Sequence, residues 1–453
     1  MLDQGFNAKN FRRIYDVENR KGTNLDERFC DNYAEFAELK RLTASIKDCK
    51  TAVVNSKATL RADQSQESRD NLAAMQAELE DAIVAKDTYL TIYLTQLSEN
   101  LARDGHTISL TARNIPGGKT LYVSNDDPTT FFIEKQIQYN ISRLYKIRPA
   151  SRDLIIPQIK SFCGGKLPIW GIRTDISDFY ESVDHRKIIK HLKSDQLLDA
   201  PSIRYIQQIL FSYSDLTANA VGLPRGNGIS AYLSELYMRP VDTAIKGLDN
   251  ILYYGRYVDD IVVLTVQDTS FTAADRLNQV SDVASDHGLA LNNLKTTQFQ
   301  NINPAHNRFD YLGYEFTLND GKCNVDISNN KRDKYQRRIV RCFDVYLRAP
   351  ARKRKKAEKL LFERVRFMTS NTKLFNNKSN AYIGVYYSNR HVTDMRKFTA
   401  LDHALRNQIR RVASVRLQAR LSSCSFVSGF SEQNFNYLNQ DEFAQIIRLW
   451  KYE

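Results

Sequence analysis

The chain has 453 residues, with 65 Lys and Arg against 52 Asp and Glu, a formal charge of +13 and 11% aromatic residues. That length is enough to bury a large core and suggests two or three domains, and the basic balance points to a polyanionic partner with aromatic platforms for its bases. Six cysteines without a C-x-x-C pair argue against a zinc knuckle or disulfide framework, and with no secretory pattern at the N terminus and no apolar run of membrane-spanning length, a cytoplasmic protein with no membrane partner is expected.

From Asn24 to Arg103 the sequence is rich in Ala, Leu, Glu, Lys and Gln and contains no proline. This predicts long helices with a break at Ala62–Ser68. Such a hairpin either packs on the body of the protein or offers a self-association or RNA-clamping surface. Pro116-Gly117-Gly118 predicts a turn. Trp170 to Ile176 reads as a short buried strand and His185 to Leu192 has helical spacing, which places Asp175 at a strand end. A further helix is expected near Ser202 to Tyr213.

Val221-Gly222-Leu223-Pro224-Arg225-Gly226-Asn227-Gly228 is a glycine-rich loop able to approach a ligand closely, and an apolar helix follows it from Ala231 to Met238. Tyr257-Val258-Asp259-Asp260 then lies between two apolar runs, Ile251–Tyr254 and Ile261–Leu264. Adjacent carboxylates at a tight turn between strands suit hard divalent cations, which take oxygen ligands. With Asp175 on a neighbouring strand they could share two metals, the arrangement that clamps the oxygens of a phosphoryl transfer. After Leu318 the pattern turns helical and basic. Between Lys331 and Lys356 there are twelve Lys or Arg against two Asp, and the last hundred residues read as further helices.

The order of these motifs resembles that of the reverse transcriptases. Asp175 with Phe179-Tyr180 is similar to their first palm motif, Gly222–Gly226 to the second and Tyr257–Asp260 to the third. Leu289–Lys295 resembles the fourth, and Phe309–Tyr314 the fifth. The resemblance implies an α+β right-hand polymerase. The expected parts are a helical N-terminal extension (1–105), fingers (106–168), a palm (169–318, with part of the fingers near 200–220) and a basic helical thumb with a C-terminal extension (319–453).

Carried over by position, Asp175, Asp259 and Asp260 with the carbonyl of Ile176 would hold two Mg²⁺ ions, with Mn²⁺ left open. Lys295 would be the general acid for pyrophosphate. Asp178, Phe179, Tyr180, Arg225, Gly226, Arg148 and Arg152 would line the dNTP site, Tyr180 excluding the ribose 2′-hydroxyl. Tyr311, Leu312 and Gly313 would form the primer grip. Arg337, Arg338, Arg352, Lys353, Arg354, Lys355 and Lys356 would hold the nucleic-acid backbone. Arg225 departs from the family, which usually has glutamine there, and adds a charged donor fork.

Within the family, three stretches resemble bacterial abortive-infection and defence-associated enzymes: Arg143–Ile156, Asp178–Val183 and Tyr382–Asn389 with Leu401-Asp402. No integrase, RNase H or zinc endonuclease pattern follows the palm, as expected of a stand-alone enzyme. The resemblance implies RNA-directed DNA synthesis from dNTPs, a noncoding RNA as template or scaffold and a DNA product, with a homo-oligomer left open. Two alternatives share much of the same sequence. One is a template-independent or protein-primed deoxynucleotidyl transferase, the other an RNA-binding scaffold resembling a maturase. An RNA-dependent RNA polymerase is disfavoured by Tyr180.

Overall fold

The structure is a computed structural model that describes residues 2–116, 118–148, 150–268, 271–319, 321–374 and 381–450. From the N terminus, α1 (Ala8–Arg20) and α2 (Leu25–Phe29) precede the long helices α3 (Ala34–Ala62) and α4 (Gln66–Asp104). Then come β1 (Leu110–Ile115), β2 (Lys119–Ser124), α5 (Pro128–Leu144), α6 (Arg152–Cys163), β3 (Ile169–Asp175), α7 (Phe179–Ser182), α8 (His185–Asp195) and α9 (Ala200–Thr217). After α10 (Gly228–Lys246) run β4 (Ile251–Tyr257), β5 (Asp260–Val266), α11 (Ala273–Asp286), β6 (Thr297–Gln300), β7 (Arg308–Tyr311), β8 (Tyr314–Asn319) and β9 (Lys322–Ile327). The C-terminal part holds α12 (Asn329–Leu347), α13 (Arg354–Thr369), β10 (Asn371–Lys373), β11 (Tyr382–Gly384), α14 (Arg396–Ile409), α15 (Val415–Ser422), α16 (Phe426–Ser431) and α17 (Gln440–Ile447). Among the described residues no helix is long and apolar enough to cross a membrane.

The chain divides into two compact units, each made of two segments: Met1–Ile147 with His185–Leu233, and Arg148–Asp184 with Ser234–Glu453. In the first, α3 and α4 form the expected hairpin, its break falling at Asp63–Ser65, where Ser65 caps α4 by accepting from the Ser68 N–H. Its base is anchored by rings, Phe36 lying 5.1 Å from Phe29 and 5.4 Å from Tyr93. Lys86 adds an ion pair to Asp26 at 2.7 Å. Beyond that base the two helices bury little, as a two-helix coil must. The turn expected at 116–118 is only partly visible, since Gly117 lies outside the described residues.

In the second unit a four-stranded antiparallel sheet has the order β4-β5-β3-β6, and a three-stranded sheet the order β7-β8-β9. The two are joined by a stack of rings: Phe299 lies 3.7 Å from Phe309, which lies 4.7 Å from Phe316. Phe299 also lies flat on Gly171, its register partner across β3 and β6. Any side chain at 171 would collide with that ring, so this glycine is set by packing rather than by a turn. The basic helix α12 continues the core through Ile339, Cys342, Phe343 and Tyr346.

The purely helical pattern expected after Leu318 needs correction, because β9, β10 and β11 interrupt it. In β9 the inward residues Cys323, Val325 and Ile327 alternate with outward ones until its last turn, a strand period. Asp402, in the stretch that carried the subgroup resemblance, is structural: its carboxylate accepts the Phe426 N–H at 2.6 Å and the Ser425 hydroxyl at 2.6 Å, capping α16.

An alanine Cβ at position 171 would stand 2.0 Å from the Phe299 ring. Gly171→Ala should therefore cost about 1–3 kcal/mol in chemical denaturation, with part of the loss recovered by adding Phe299→Leu. Wild-type stability of the single variant would show that the ring does not need the glycine.

Candidate active site

β3 and β5 pair so that Asp175 stands directly opposite Asp260, and Tyr257 closes the β4–β5 hairpin opposite the same Asp260. Between them the two-residue turn Val258-Asp259 forces Val258 to a φ of 61°. A β-branched residue in that region stores on the order of 1–3 kcal/mol. The ladder runs on past the strands: the Ile176 N–H donates to the Asp259 carbonyl at 3.2 Å, and the Asp175 carbonyl accepts from the Asn292 N–H at 2.7 Å. Asp175, Asp259 and Asp260 are thus brought together by backbone pairing, as their positions at strand ends predict.

Like charges directly opposite on paired strands repel, and two cations answer that repulsion. Arg173, two residues before Asp175 and so on the same face of β3, lies diagonal to Asp260 and reaches its Oδ1 at 3.0 Å. Lys295 Nζ stands 2.9 Å from Asp175 Oδ1. The two are linked, since the Arg173 Nη1 donates to the Lys295 carbonyl at 2.7 Å. Burial, with Asp175 and Asp259 nearby, still outweighs the Arg173 guanidinium and pushes the Asp260 carboxyl up to about 6. Its buried Oδ1 has the guanidinium at ion-pair distance but no well-aligned hydrogen bond.

A second network braces the turn. Arg256, 7% exposed, pairs with Glu235 at 2.8 Å and Asp242 at 2.8 Å and donates from Nη1 to the Val258 carbonyl at 2.8 Å. Burial alone would favour the neutral guanidine, but the two carboxylates outweigh it and hold the charge. Tyr254 donates to Asp242 at 2.6 Å. The sequence reading missed Arg173, Arg256, Glu235 and Asp242. One signal was available: Glu235 and Asp242, seven residues apart on α10, share a helix face.

The remaining predicted residues are placed as follows. Asp178 is exposed with a φ of 43° at the start of α7, Phe179 is buried, and Tyr180 is half-buried with its ring 6.0 Å from that of Phe179. Tyr311, the first residue of the expected primer grip, donates its hydroxyl to the Asp260 carbonyl at 2.9 Å and so ties that turn to the acidic centre. Leu312 and Gly313, at φ 49° and 80°, form the two-residue turn between β7 and β8. Arg148 is exposed, whereas Arg152 lies against Tyr314, 5.6 Å from its ring. Arg337 lines an open groove along α12 with Arg341, Arg348 and Asp344, and Arg338 lies 5.3 Å over Trp450. Arg352, Lys353, Lys355 and Lys356 are exposed. Arg354 instead packs 4.4 Å over Tyr346, a local contact that the charge run did not reveal.

Arg225 and Gly226 belong to the first unit. There the Arg225 carbonyl accepts from the Tyr122 N–H at 2.7 Å, and Gly226, at φ 99°, lies against Leu121. Asn227 fixes the loop by donating to Glu134 at 2.6 Å and accepting from the Ile229 N–H at 2.8 Å. Burial raises the Glu134 carboxyl above its ordinary range.

Among the described residues no group of three His, Cys, Asp or Glu side chains is close enough to enclose an ion. The donor set nonetheless fits divalent cations. It is an acidic centre with one carboxylate oxygen lacking an aligned hydrogen bond, its charge now offset by a lysine and an arginine.

The raised Asp260 carboxyl fixes a pH dependence. A cation needs the ionised form, so binding of Mg²⁺ or Mn²⁺ should weaken as pH falls through about 6, and Arg173→Met should move that midpoint higher. Because the folded chain holds this proton more tightly than the unfolded chain, the metal-free protein should lose stability as pH rises from about 4 to about 6. Calorimetric metal titrations across that range check it, and a midpoint in the ordinary carboxylate range would refute it.

Comparison with known proteins agrees with this geometry. Residues 129–316, less than half of the chain, match the family described as reverse transcriptase (RNA-dependent DNA polymerase). No curated protein matches. Among solved structures, an apo telomerase from Candida tropicalis truncated from its C-terminal domain is 12% identical with a TM-score of 0.36, over 52% of this chain and 60% of that one. Apo telomerase from the same organism is 12% identical with a TM-score of 0.38, over 76% and 60%. Telomerase from Candida albicans in complex with a fragment of telomeric RNA is 10% identical with a TM-score of 0.36, over 85% and 73%. The chain thus spans about 60% of the length of the first two. The reading of the site rests on its residues and on the family match, not on these likenesses. Residues 129–316 carry a reverse transcriptase domain of the right-hand polymerase class, the nucleotidyltransferase domain of RNA-directed DNA polymerases.

Proposed function

We propose that the chain is a working RNA-directed DNA polymerase that extends a 3′-hydroxyl with dNTPs, copies a noncoding RNA and serves bacterial anti-phage defence in the cytoplasm. The observation that carries the chemistry is the register that sets Asp175 opposite Asp260, with Asp259 locked between them by the Ile176 N–H. A scaffold that only binds RNA has no need of three carboxylates so placed, nor of the repulsion they create.

In the proposed reaction the 3′-oxygen attacks the α-phosphorus of the dNTP and the bond to pyrophosphate breaks. Two Mg²⁺ ions, when bound, would offset the charge on the phosphates and favour the 3′-alkoxide, and Asp175, Asp259 and Asp260 are the residues that would hold them. Lys295 Nζ stands beside Asp175 and is half-exposed, so it is placed to act as the proton donor to the leaving pyrophosphate. The half-buried Tyr180, backed by Phe179, is the proposed sugar filter. Arg225 is proposed to touch template or substrate, on a loop that Asn227 and Glu134 hold rigid. The defence role is supported by the three sequence stretches named above. The noncoding RNA is supported by that resemblance and by the charge of +13.

Sequencing the nucleic acid that co-purifies with the active protein, beside Asp259→Ala with Asp260→Ala, tests the proposal. DNA complementary to one bound RNA is expected, with the double variant reduced at least about a hundred-fold. Homopolymeric or random DNA would favour the template-independent transferase, and bound RNA without DNA from either protein the scaffold.

Tyr180→Ala should cut discrimination against ribonucleotides by about ten-fold or more, read as the ratio of kcat/KM for dNTP and NTP. An unchanged ratio would remove Tyr180 from the sugar site.

A further inference from the structure

The α3–α4 hairpin has no part in the proposed chemistry, and its outer surface carries a pattern that packing does not explain. The seam between the helices is made by buried or half-buried residues, among them Ile46, Val53 and Leu60 on α3 and Leu72, Met75 and Leu79 on α4. Away from that seam a second stripe runs along each helix. On α3 it is Lys47, Lys50, Val54, Lys57 and Arg61, and on α4 it is Asp70, Ala73, Ala77, Glu80 and Val84. Both advance in alternating steps of three and four, the spacing that keeps residues on one helix face and builds a coiled-coil seam. All ten residues are exposed, Val54 at 64% and Val84 at 56%.

The charges are sorted by helix. Over 45–62 there are four Lys or Arg against one Asp, and over 66–87 six Asp or Glu against two Lys or Arg. A face turned only to water gains from mixed signs, because like charges three or four residues apart weaken a helix. Here Lys47 precedes Lys50 by three residues and Lys57 precedes Arg61 by four. The opposite charges of the two helices do not answer each other within the hairpin. Arg41 pairs with Glu38 and Arg103 with Asp104 inside one helix, Arg12 of α1 pairs with Asp87, and Lys86 reaches Asp26 of α2. Among the described residues no ion pair joins α3 to α4.

The two signs side by side select the occupant. A nucleic-acid strand drawn to α3 would meet the acidic α4 along the same hairpin. A second copy of the chain carries both signs and is complementary to itself. We propose that the hairpin is a dimerisation arm, in which α3 of each copy lies along α4 of the other. A two-fold axis running along the hairpin leaves no freedom of register, since residues equally far from the tip must meet. The tip is at Asp63–Ser65. Within one residue of equal distance from it stand Lys57 and Asp70, Val54 and Ala73, Lys50 and Ala77, and Lys47 and Glu80. The imposed register thus sets cation on carboxylate at both ends and apolar side chains between them. Every contact forms twice. The inference does not depend on the polymerase reading.

The experiment uses the full-length protein, freed of nucleic acid with nuclease, and follows its mass by analytical ultracentrifugation from about 0.1 to about 100 µM. Three variants are compared: Lys47→Glu with Lys57→Glu, Asp70→Lys with Glu80→Lys, and all four changes in one chain. Circular dichroism checks that each keeps its helix content. The wild type should dimerise, more weakly as salt rises. Each two-site reversal should raise the dimer Kd by about ten-fold or more. Mixing the two reversed proteins should restore a dimer, as should the four-site variant alone.

A wild type that stays monomeric over this range would overturn the proposal. So would a dimer that neither reversal weakens, which would place the contact elsewhere. Helical variants that lose the dimer and do not recover it on mixing would overturn the pairing of α3 with α4. A Lys47→Glu, Lys57→Glu protein that keeps its mass but loses RNA binding would make the hairpin an RNA clamp instead.

Discussion

The structure of the second unit depends on one unfavourable contact that the fold imposes on itself, the placement of Asp175 across from Asp260 on paired strands. Cross-strand partners with the same charge weaken a sheet, and burial removes the water that would soften the repulsion. The sheet tolerates it because the flanking pairs, Ile172 with Val263 and Thr174 with Ile261, are buried and apolar or β-branched. The repulsion is therefore concentrated at one end of β3, where the strand opens into a loop. A site for polyanionic chemistry and cations belongs at such an end, since the energy released by binding a cation is largest where the ligand-free protein is most frustrated.

The cations around this centre divide into two kinds. Lys295 is half-exposed and tethered by a turn whose backbone is stitched to the end of β3, so it can leave Asp175 without disturbing the sheet. Arg173 and Arg256 cannot leave so easily. Arg256 is held at both ends of its guanidinium by carboxylates of α10 while it bonds the Val258 carbonyl. This bidentate grip gives the strained turn its support: the valine conformation is paid for by a network anchored in a helix 14 to 21 residues away. Tyr311 then links the next hairpin to the same strand through the Asp260 carbonyl, so a shift at the turn Leu312-Gly313 would be felt at the carboxylates.

Legibility in the sequence followed the range of the interactions. The carboxylates could be read because each sits where a local apolar run ends: β3 closes at Asp175, β4 at Tyr257, and β5 opens at Asp260. The helical hairpin could be read from composition and the missing prolines. The partners Arg173 and Arg256 could not, because nothing local says which carboxylate a strand arginine will face once the strands pair. β10 and β11, three residues each, are too short to show a period. β9 did show alternation, but it was overshadowed by the basic helix that follows. The interleaving of the two units was also hidden, since serial boundaries at 105, 168 and 318 cannot express a unit made of two distant segments.

The same comparison of near and far contacts separates the two groups of buried charge in this unit. At the acidic centre Asp260 and Asp175 each have a cation within ion-pair reach, and with Asp259 nearby three carboxylates stand beside two cations. At Tyr314, where Arg152 and Lys331 both lie against the ring, the excess is positive, and the nearest acid, Asp153, is already engaged. Folding alone gives no reason to keep either imbalance, because a neutral residue at 260 or at 331 would spare the desolvation of a charge. The two imbalances meet at one hairpin, β7–β8. One tight turn holds the two in a fixed relation, because Tyr311 bonds the Asp260 carbonyl and is the register partner of Tyr314.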